Sequence, residues 1–174
     1  TRIIYPEDEN GRKIELGYFF GVQFTGHSIH YPQPLMYSHY SEKLILPTKE
    51  MFMSLGRGTV YEDTMEYEVD IEKPNLTYNG NVYYFVYNTE NYYHFIYDTL
   101  PYLYGYFNEK KYFPDLKLLV SPPEDRIDLY PFVWDTLELL GITRSDVVFL
   151  NNNARYKMII VGSSLTHDGL PNTP

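Results

Sequence analysis

Hydrophobic and polar positions are arranged in two different ways along the chain, and the change falls near residue 80. Before it, short apolar stretches are separated by turn signals such as Asn10-Gly11 and Asn79-Gly80. Residues 65–72 alternate apolar and acidic side chains with a period of two, which predicts a strand with an acidic solvent face. Because no long helical period appears in this part, residues 1–80 are predicted to form a β-rich N-terminal segment.

Beyond residue 80, apolar segments of strand length alternate with helical patterns. The predicted strands cover residues 82–87, 116–120, 146–150 and, as a further candidate, 156–161. The predicted helices cover residues 91–107 and 130–140, and Gly141 stands where a left-handed C-terminal cap belongs. Short alternation of strand and helix gives a parallel sheet with right-handed crossovers. The sequence therefore predicts an α/β fold, with a Rossmann-like βαβαβ half-domain over residues 81–174.

The first predicted helix contains a proline. Pro101 lacks a backbone donor and its ring clashes with the turn before it, so we expect a kink or a break near residues 98–100. On a helical wheel, one apolar side is expected to meet the sheet. This side consists of Tyr93, Ile96, Tyr97, Leu100, Tyr104 and Phe107.

The start of the same helix carries the residues best suited to chemistry. Ligands of parallel sheets bind at the carboxyl ends of strands, and residues 88–91 follow one such end. His94 and Asp98 are one turn apart, so the carboxylate can hold the imidazole and favour its proton-accepting tautomer. This is half of a general-base arrangement. The alternative is an ordinary surface pair on a helix, worth about a few tenths of a kcal/mol.

Composition and charge exclude several other classes of function. The net charge is -9 and the 14 Lys and Arg form no run, so no nucleic-acid partner is expected. His27 and His30 would point to opposite faces of a strand, so no metal site is predicted. There is no Cys, no secretory start and no apolar stretch of membrane length, so we predict a cytoplasmic protein, microbial or viral, without a membrane span. The 20 Tyr indicate either stacking faces for sugars or bases, or a compositional bias.

A more specific pattern lies at residues 91–101. The motif N-Y-Y-H-F at 91–95, followed by D-T-L-P at 98–101, comes just after an apolar strand. It resembles the signature of glycosyltransferase family 61, which includes capsular-polysaccharide biosynthesis proteins, plant xylan-decorating enzymes and the extracellular O-linked N-acetylglucosamine transferase. The likeness continues through residues 116–120 and 132–142.

The resemblance implies a two-domain enzyme of the GT-B type. Such an enzyme moves a sugar from a nucleotide-sugar donor to a hydroxyl of a glycan or protein acceptor, with inversion of the anomeric centre. This chain would correspond to the N-terminal, acceptor-side half. By position in the motif, His94 is the candidate catalytic base, oriented by Asp98, and Asn91 is carried over with it. Asn88 and Tyr92 are further candidates for substrate binding, and no cofactor is expected besides the donor as co-substrate.

The donor side of that family is not represented in this sequence. The family's later His-Gly-Ala-Gly-Leu-like segment is missing, and the chain has no G-x-G-x-x-G motif or P-loop. A nucleotide sugar is therefore expected to bind through a further C-terminal domain, and the chain alone is expected to be incomplete for catalysis. The alternative function is a non-catalytic glycan- or protein-binding module derived from the same half-fold.

Overall fold

Strands from both parts of the chain form one sheet. The computed structural model describes residues 2–4, 15–28, 31–40, 43–45, 67–68, 73–85, 89–123 and 126–162. Strands β1 to β9 are Arg2–Ile4, Glu15–Ser28, Tyr31–Ser38, Lys43–Ile45, Tyr67–Glu68, Leu76–Tyr84, Lys117–Val120, Val147–Phe149 and Ala154–Gly162. The α-helices are α1 (Tyr92–His94), α2 (Leu103–Lys110) and α3 (Pro131–Leu139).

The sheet is mixed, and its strand order is β4-β3-β2-β9-β6-β7-β8, with β1 and β5 also paired to β2. Strands β9, β6, β7 and β8 run parallel, whereas β2, β3 and β4 pair in antiparallel fashion. The predicted α/β class is confirmed. The four strands predicted beyond residue 80 are parallel to one another. The sheet as a whole is mixed, because β2 pairs with β9 along most of its length and joins the first part of the chain to the second.

The predicted turn at Asn79-Gly80 is wrong, since both residues lie inside β6. Between Tyr78 and Asn81 the ladder with β9 shifts by one residue, so Asn79 and Gly80 form a β-bulge. The Tyr78 ring covers Gly80 so closely that a Cβ there would lie 2.7 Å from it. The two residues that favour turns therefore produce a bend within a strand.

Both faces are buried in β7 and in the carboxyl-terminal parts of β6 and β9, which suits their continuous apolar runs. Residues of β6, β7 and β9 alternate between two clusters. One cluster packs against the helices and contains Tyr83, Phe85, Leu118, Val120, Met158 and Ile160. The other contains Val82, Tyr84, Leu119, Ile159 and Val161, together with Val22 and Phe24 of β2 and Met36 of β3. Residues of the antiparallel strands β2 and β3 therefore belong to the buried cluster on the side of the sheet away from the helices.

The link from β8 to β9 shows that the sheet is strongly curled. It consists of residues 150–153 only. At its start the Leu150 N–H donates to the Val120 carbonyl at the end of β7, and at its end the Asn153 carbonyl accepts from Asn75 just before β6. Because four extended residues span at most about 14 Å, the start of β6 must lie near the end of β7.

The break predicted at Pro101 is confirmed. After α1, the chain makes a π-helical turn over Phe95–Thr99 and a 3-10 turn over Leu100–Tyr102 before α2 begins. In the π turn the Leu100 N–H donates to the Phe95 carbonyl, five residues back. The wider turn accommodates the proline ring, which would clash with the carbonyl four residues before it in a regular α-helix.

The side of this helical segment predicted to meet the sheet is wrong. Tyr93, Tyr97 and Tyr104 are 61%, 57% and 52% exposed, whereas Ile96 and Leu100 are partly buried at the edge of the core. The residues that face the core are Phe95, Thr99, Tyr102, Leu103, Tyr106 and Glu109. Both sides are rich in aromatic residues, and the buried polar residues Thr99 and Glu109 make the true core side look less apolar. Glu109 is satisfied there by the Tyr18 hydroxyl, which donates to its carboxylate.

The second predicted helix is confirmed as α3. Pro131 occupies the first turn, where its missing N–H costs nothing. Gly141 has φ +77°. Its N–H donates to the Glu138 carbonyl, and the Ile142 N–H donates to the Leu137 carbonyl, which is the Schellman pattern. Among the helices that the structure describes, none has the length and apolar character needed to cross a membrane.

Candidate functional site

The candidate site lies where α1 begins, shortly after the carboxyl end of β6. Asn91 has an extended backbone (φ -102°, ψ 119°), and its side-chain oxygen accepts the His94 N–H at 3.2 Å. Asn91 therefore caps the helix, which fixes the backbone position of His94. Its predicted role in substrate binding stays a prediction. Asn88 lies outside the described residues.

His94 is partly exposed. Its ring lies edge-on to that of Tyr93, with 5.5 Å between centroids and an angle of 84°. Its carbonyl accepts a hydrogen bond of 3.5 Å from the hydroxyl of Thr99, which is fully buried. The residue is thus anchored through its backbone to the core, and it keeps part of its solvent exposure. A histidine placed in this way could take a proton from a substrate hydroxyl bound beside it.

Asp98, the predicted partner of His94, belongs to the π-helical turn Phe95–Thr99. Its side chain is not among the described parts of the structure. The orientation of His94 by Asp98 therefore stays a prediction.

Tyr92 connects the start of α1 to the start of α3. It is 63% exposed, and its ring meets Phe132 edge-on at 5.4 Å. Phe132 also contacts Phe95 at 5.6 Å and stacks on Tyr130 at 5.8 Å. The helix starts that follow β6 and β7 are thus joined by aromatic side chains at one edge of the sheet, as expected for parallel strands.

Beside His94 lies a pair of aromatic rings that the helical wheel predicted to face the sheet. Tyr93 and Tyr97 stack with centroids 4.6 Å apart and an angle of 30°. Both rings are more than half exposed. The signal that could have identified them is their residue type, because tyrosine has a polar hydroxyl and tolerates exposure better than Leu or Ile. The pair offers an aromatic surface adjoining a partly exposed imidazole.

The other histidines form no metal centre in the described part of the chain. His27 lies in β2, and His30 lies outside the described residues. No group of three or more His, Asp or Glu side chains suited to a metal ion occurs among the residues that the structure describes.

Trp134, by contrast, belongs to a structural cluster. Its indole N–H donates to Asp128 at 2.9 Å, and the Arg144 guanidinium lies 4.1 Å from its ring centroid. Arg144 also pairs with Asp128 at 3.1 Å. Burial opposes ionisation of Asp128, but the hydrogen bonds from Arg144 and Trp134 outweigh it and lower the pKa of this carboxyl. Asp128 therefore holds α3 to the turn before β8.

Comparison of the chain with protein-family models, with curated proteins and with solved structures finds no match in any of the three. The relation to glycosyltransferase family 61 therefore remains a resemblance between short motifs. The function is therefore inferred from the geometry around His94.

Proposed function

We propose that this chain is the acceptor-side part of an inverting glycosyltransferase, in which His94 is the catalytic base. The donor would be a nucleotide sugar, and the acceptor a hydroxyl of a glycan or a protein. The observation that carries the proposal is the partly exposed His94 in the first helical turn after β6, whose backbone N–H donates to Asn91 and whose carbonyl accepts from Thr99.

The chemical step would need a base of this kind. A neutral hydroxyl is a poor nucleophile, so removing its proton during the attack on the anomeric carbon accelerates the reaction. A positioned histidine typically contributes about 100- to 10,000-fold. The donor phosphates would be held by a further domain, since the sequence has no phosphate-binding glycine motif.

The exposed Tyr93–Tyr97 pair supports a sugar as the acceptor. Aromatic rings give a large, rigid contact area that suits the apolar face of a pyranose, and the phenol hydroxyls can bind its polar rim. A sugar stacked on either ring would have hydroxyls close to His94, whose ring contacts that of Tyr93.

The proposal is tested by replacing His94 in the longest natural polypeptide that contains this sequence. We expect His94→Ala to lower kcat/KM for sugar transfer by about 100- to 10,000-fold while the far-ultraviolet circular dichroism stays unchanged. Tyr112→Phe, at an exposed ring after α2, is the control and should retain activity. Equal turnover in the His94→Ala variant and the wild type would remove this residue from the mechanism.

A non-catalytic glycan-binding module is the second candidate, and the exposed stacked rings favour it. In that case glycans should bind this chain in an array, and Tyr97→Ala should abolish the binding. Isothermal calorimetry of nucleotide sugars with the longest natural polypeptide that contains this sequence separates the two candidates, because the donor is expected to bind through a further domain. Micromolar affinity for a nucleotide sugar would count against the module, and its absence together with glycan binding would count against the transferase.

A further inference from the structure

A second cluster of polar side chains lies on the antiparallel part of the sheet, where β2 runs between β3 and β9. Gln23 of β2 is paired directly with Tyr37 of β3 and with Arg155 of β9. Because directly paired residues project from the same face, these three side chains form one row across the strands. The two residues that follow β3, His39 and Tyr40, both contact this row.

His39 contacts Tyr37 and the central Gln23 of this row, and Tyr40 contacts Arg155. The His39 ring meets Tyr37 edge-on at 5.1 Å, and the Arg155 guanidinium lies 5.1 Å from the centroid of Tyr40. Gly21, with φ +62°, permits this approach, because a Cβ there would overlap the Tyr40 ring. The local backbone of β2 is therefore shaped to bring Tyr40 against the sheet.

The hydrogen bonds of Gln23 fix the tautomer of His39. Gln23 is only 2% exposed, and its side-chain NH2 donates to the Asn152 carbonyl at 3.0 Å. Its amide oxygen therefore faces His39 Nε2, 2.8 Å away. Since that oxygen can only accept, Nε2 carries a hydrogen and Nδ1 of the neutral ring has a lone pair. Within the described residues Nδ1 has no hydrogen-bond partner.

The ring is held in its neutral form. Burial, followed by the positive charge of Arg155, lowers the pKa of His39. The Nδ1 lone pair is therefore present at neutral pH and can accept a hydrogen bond.

Arg155 lacks the kind of carboxylate partner that Lys110 and Arg144 have within the described residues. Lys110 pairs with Asp146, and Arg144 pairs with Asp128. Among the described residues no carboxylate lies within ion-pair distance of Arg155, and its contact is the Tyr40 ring. In a chain of net charge -9, a partly buried guanidinium that has no carboxylate partner in the described part of the structure is suited to an external anion.

We propose that Arg155 and His39 bind a phosphate monoester. Two requirements select this ligand: negative oxygens for the guanidinium and a proton to donate to Nδ1. A phosphate monoester loses its second proton near pH 6, so close to neutrality it can carry both a charged oxygen and a P–OH group. A carboxylate has no proton to donate at that pH. The phosphate would accept two parallel hydrogen bonds from Arg155 and donate one to His39.

The site is tested by titrating the 15N-labelled chain with sodium phosphate at pH 6.5, with chloride at equal ionic strength as the blank. We expect saturable shifts of the His39 ring nitrogens and of the Gln23 side-chain amide. Arg155→Gln should raise the dissociation constant for phosphate at least about tenfold, because it removes the charged donor. Arg144→Gln, at the guanidinium that already has a carboxylate partner, is the matched control and should not change it.

The source of the phosphate is identified by repeating the titration with a hexose 6-phosphate and with a nucleoside diphosphate, whose terminal phosphate also carries a titratable proton. Tighter binding of one of them than of inorganic phosphate would identify the ester that the site prefers, and equal binding would indicate free phosphate. Linear, non-saturating shifts with all three, or equal losses in the Arg155 and Arg144 variants, would overturn the proposal. His39→Gln provides a second test. The glutamine amide cannot take the place of Nδ1, so this substitution should also weaken phosphate binding.

Discussion

At the scale of single residues, the fit of Tyr83 between two glycines is the feature most open to measurement. Tyr83 is fully buried, and its hydroxyl donates to the Tyr102 carbonyl at 2.9 Å. A Cβ added at Gly105 or at Gly162 would overlap this hydroxyl. The ring therefore packs directly against the backbone of α2 and of β9, and both glycines are there for space.

We predict that Gly105→Ala destabilises the protein. In an exposed helix this change stabilises by about 0.5–1 kcal/mol. Here the overlap with the Tyr83 hydroxyl should reverse the sign and cost about 1–3 kcal/mol. Tyr83→Phe removes that hydroxyl, so in this background Gly105→Ala should cost about 1 kcal/mol less. Urea unfolding of the two single variants, the double variant and the wild type measures the coupling.

Gly141→Ala is the control for this cycle. An added Cβ at Gly141 meets nothing within 4 Å, but φ is +77°, so the cost is one of backbone conformation alone. Gly141→Ala should therefore change the free energy of unfolding by the same amount in the wild type and in the Tyr83→Phe variant. If Gly105→Ala also costs the same in both backgrounds, the hydroxyl is not what limits the space.

At the scale of elements, the first helical segment shows what local sequence can and cannot predict. Its break follows from the chemistry of Pro101 alone, and the structure confirms it. Its core side does not follow from the wheel, because the polar residues Thr99 and Glu109 are both buried, and Glu109 is buried with a partner elsewhere in the fold. Glu109 accepts from Tyr18 of β2. A wheel ranks residues by type and contains no information on such distant partners.

The contact between α2 and the turn before β8 gives a prediction on pH. Lys110 of α2 donates to Asp146 at 2.7 Å, and the Thr143 N–H and hydroxyl donate to the same carboxylate. The hydrogen bond from Lys110 is the largest cause that lowers the pKa of Asp146 from 3.8 to about 2. Because the folded-state pKa is the lower one, the stabilisation is present above pH 3.8 and is lost as the pH falls towards 2.

We therefore expect Asp146→Asn to flatten the dependence of the free energy of unfolding on pH between about 4 and 2. The contribution lost over this range should be at most about 2 kcal/mol. Lys110→Gln removes the main donor and should flatten the same part of the curve. Chemical unfolding at a series of pH values measures it, and an unchanged slope in both variants would contradict the assignment to this pair.

At the scale of the whole molecule, the strand order depends on pairings that no local pattern contains. The positions of β7, β8 and β9 were predicted to within about two residues, whereas β6 begins earlier than predicted. Their order across the sheet, with β2 beside β9, was not predicted. The same limit applies to the sites. The helix start at His94 was predictable from neighbours in sequence, whereas the row of Tyr37, Gln23 and Arg155 exists only because three distant strands share one register.

A single sheet should unfold as a single unit. Phe24 is fully buried, stacks on Tyr84 at 5.5 Å and meets Tyr156 edge-on at 5.6 Å. We expect Phe24→Ala to cost about 3–5 kcal/mol. Trp134, the only tryptophan, lies in the cluster beneath the helices, so its fluorescence reports on the other side of the sheet.

In the Phe24→Ala variant, the unfolding transitions followed by Trp134 fluorescence and by far-ultraviolet circular dichroism should both shift to the same lower denaturant concentration. Phe20→Ala, at a ring that is 48% exposed on the same strand, is the matched control and should shift both curves much less. A Trp134 transition that stays in place while the dichroism shifts would indicate that residues 1–80 and 81–174 fold separately.

The position of β9 determines when this protein can fold during its synthesis. β9 lies between β2 and β6, and its last residue is Gly162. While a ribosome has not yet released that segment, β2 and β6 each lack a neighbour and present unpaired backbone groups at the centre of the future sheet. Until β9 has been synthesised, the unpaired edges of β2 and β6 can form incorrect contacts. Translation speed and chaperone binding while β9 is being made should therefore affect folding more than in a protein whose neighbouring strands follow one another in the chain.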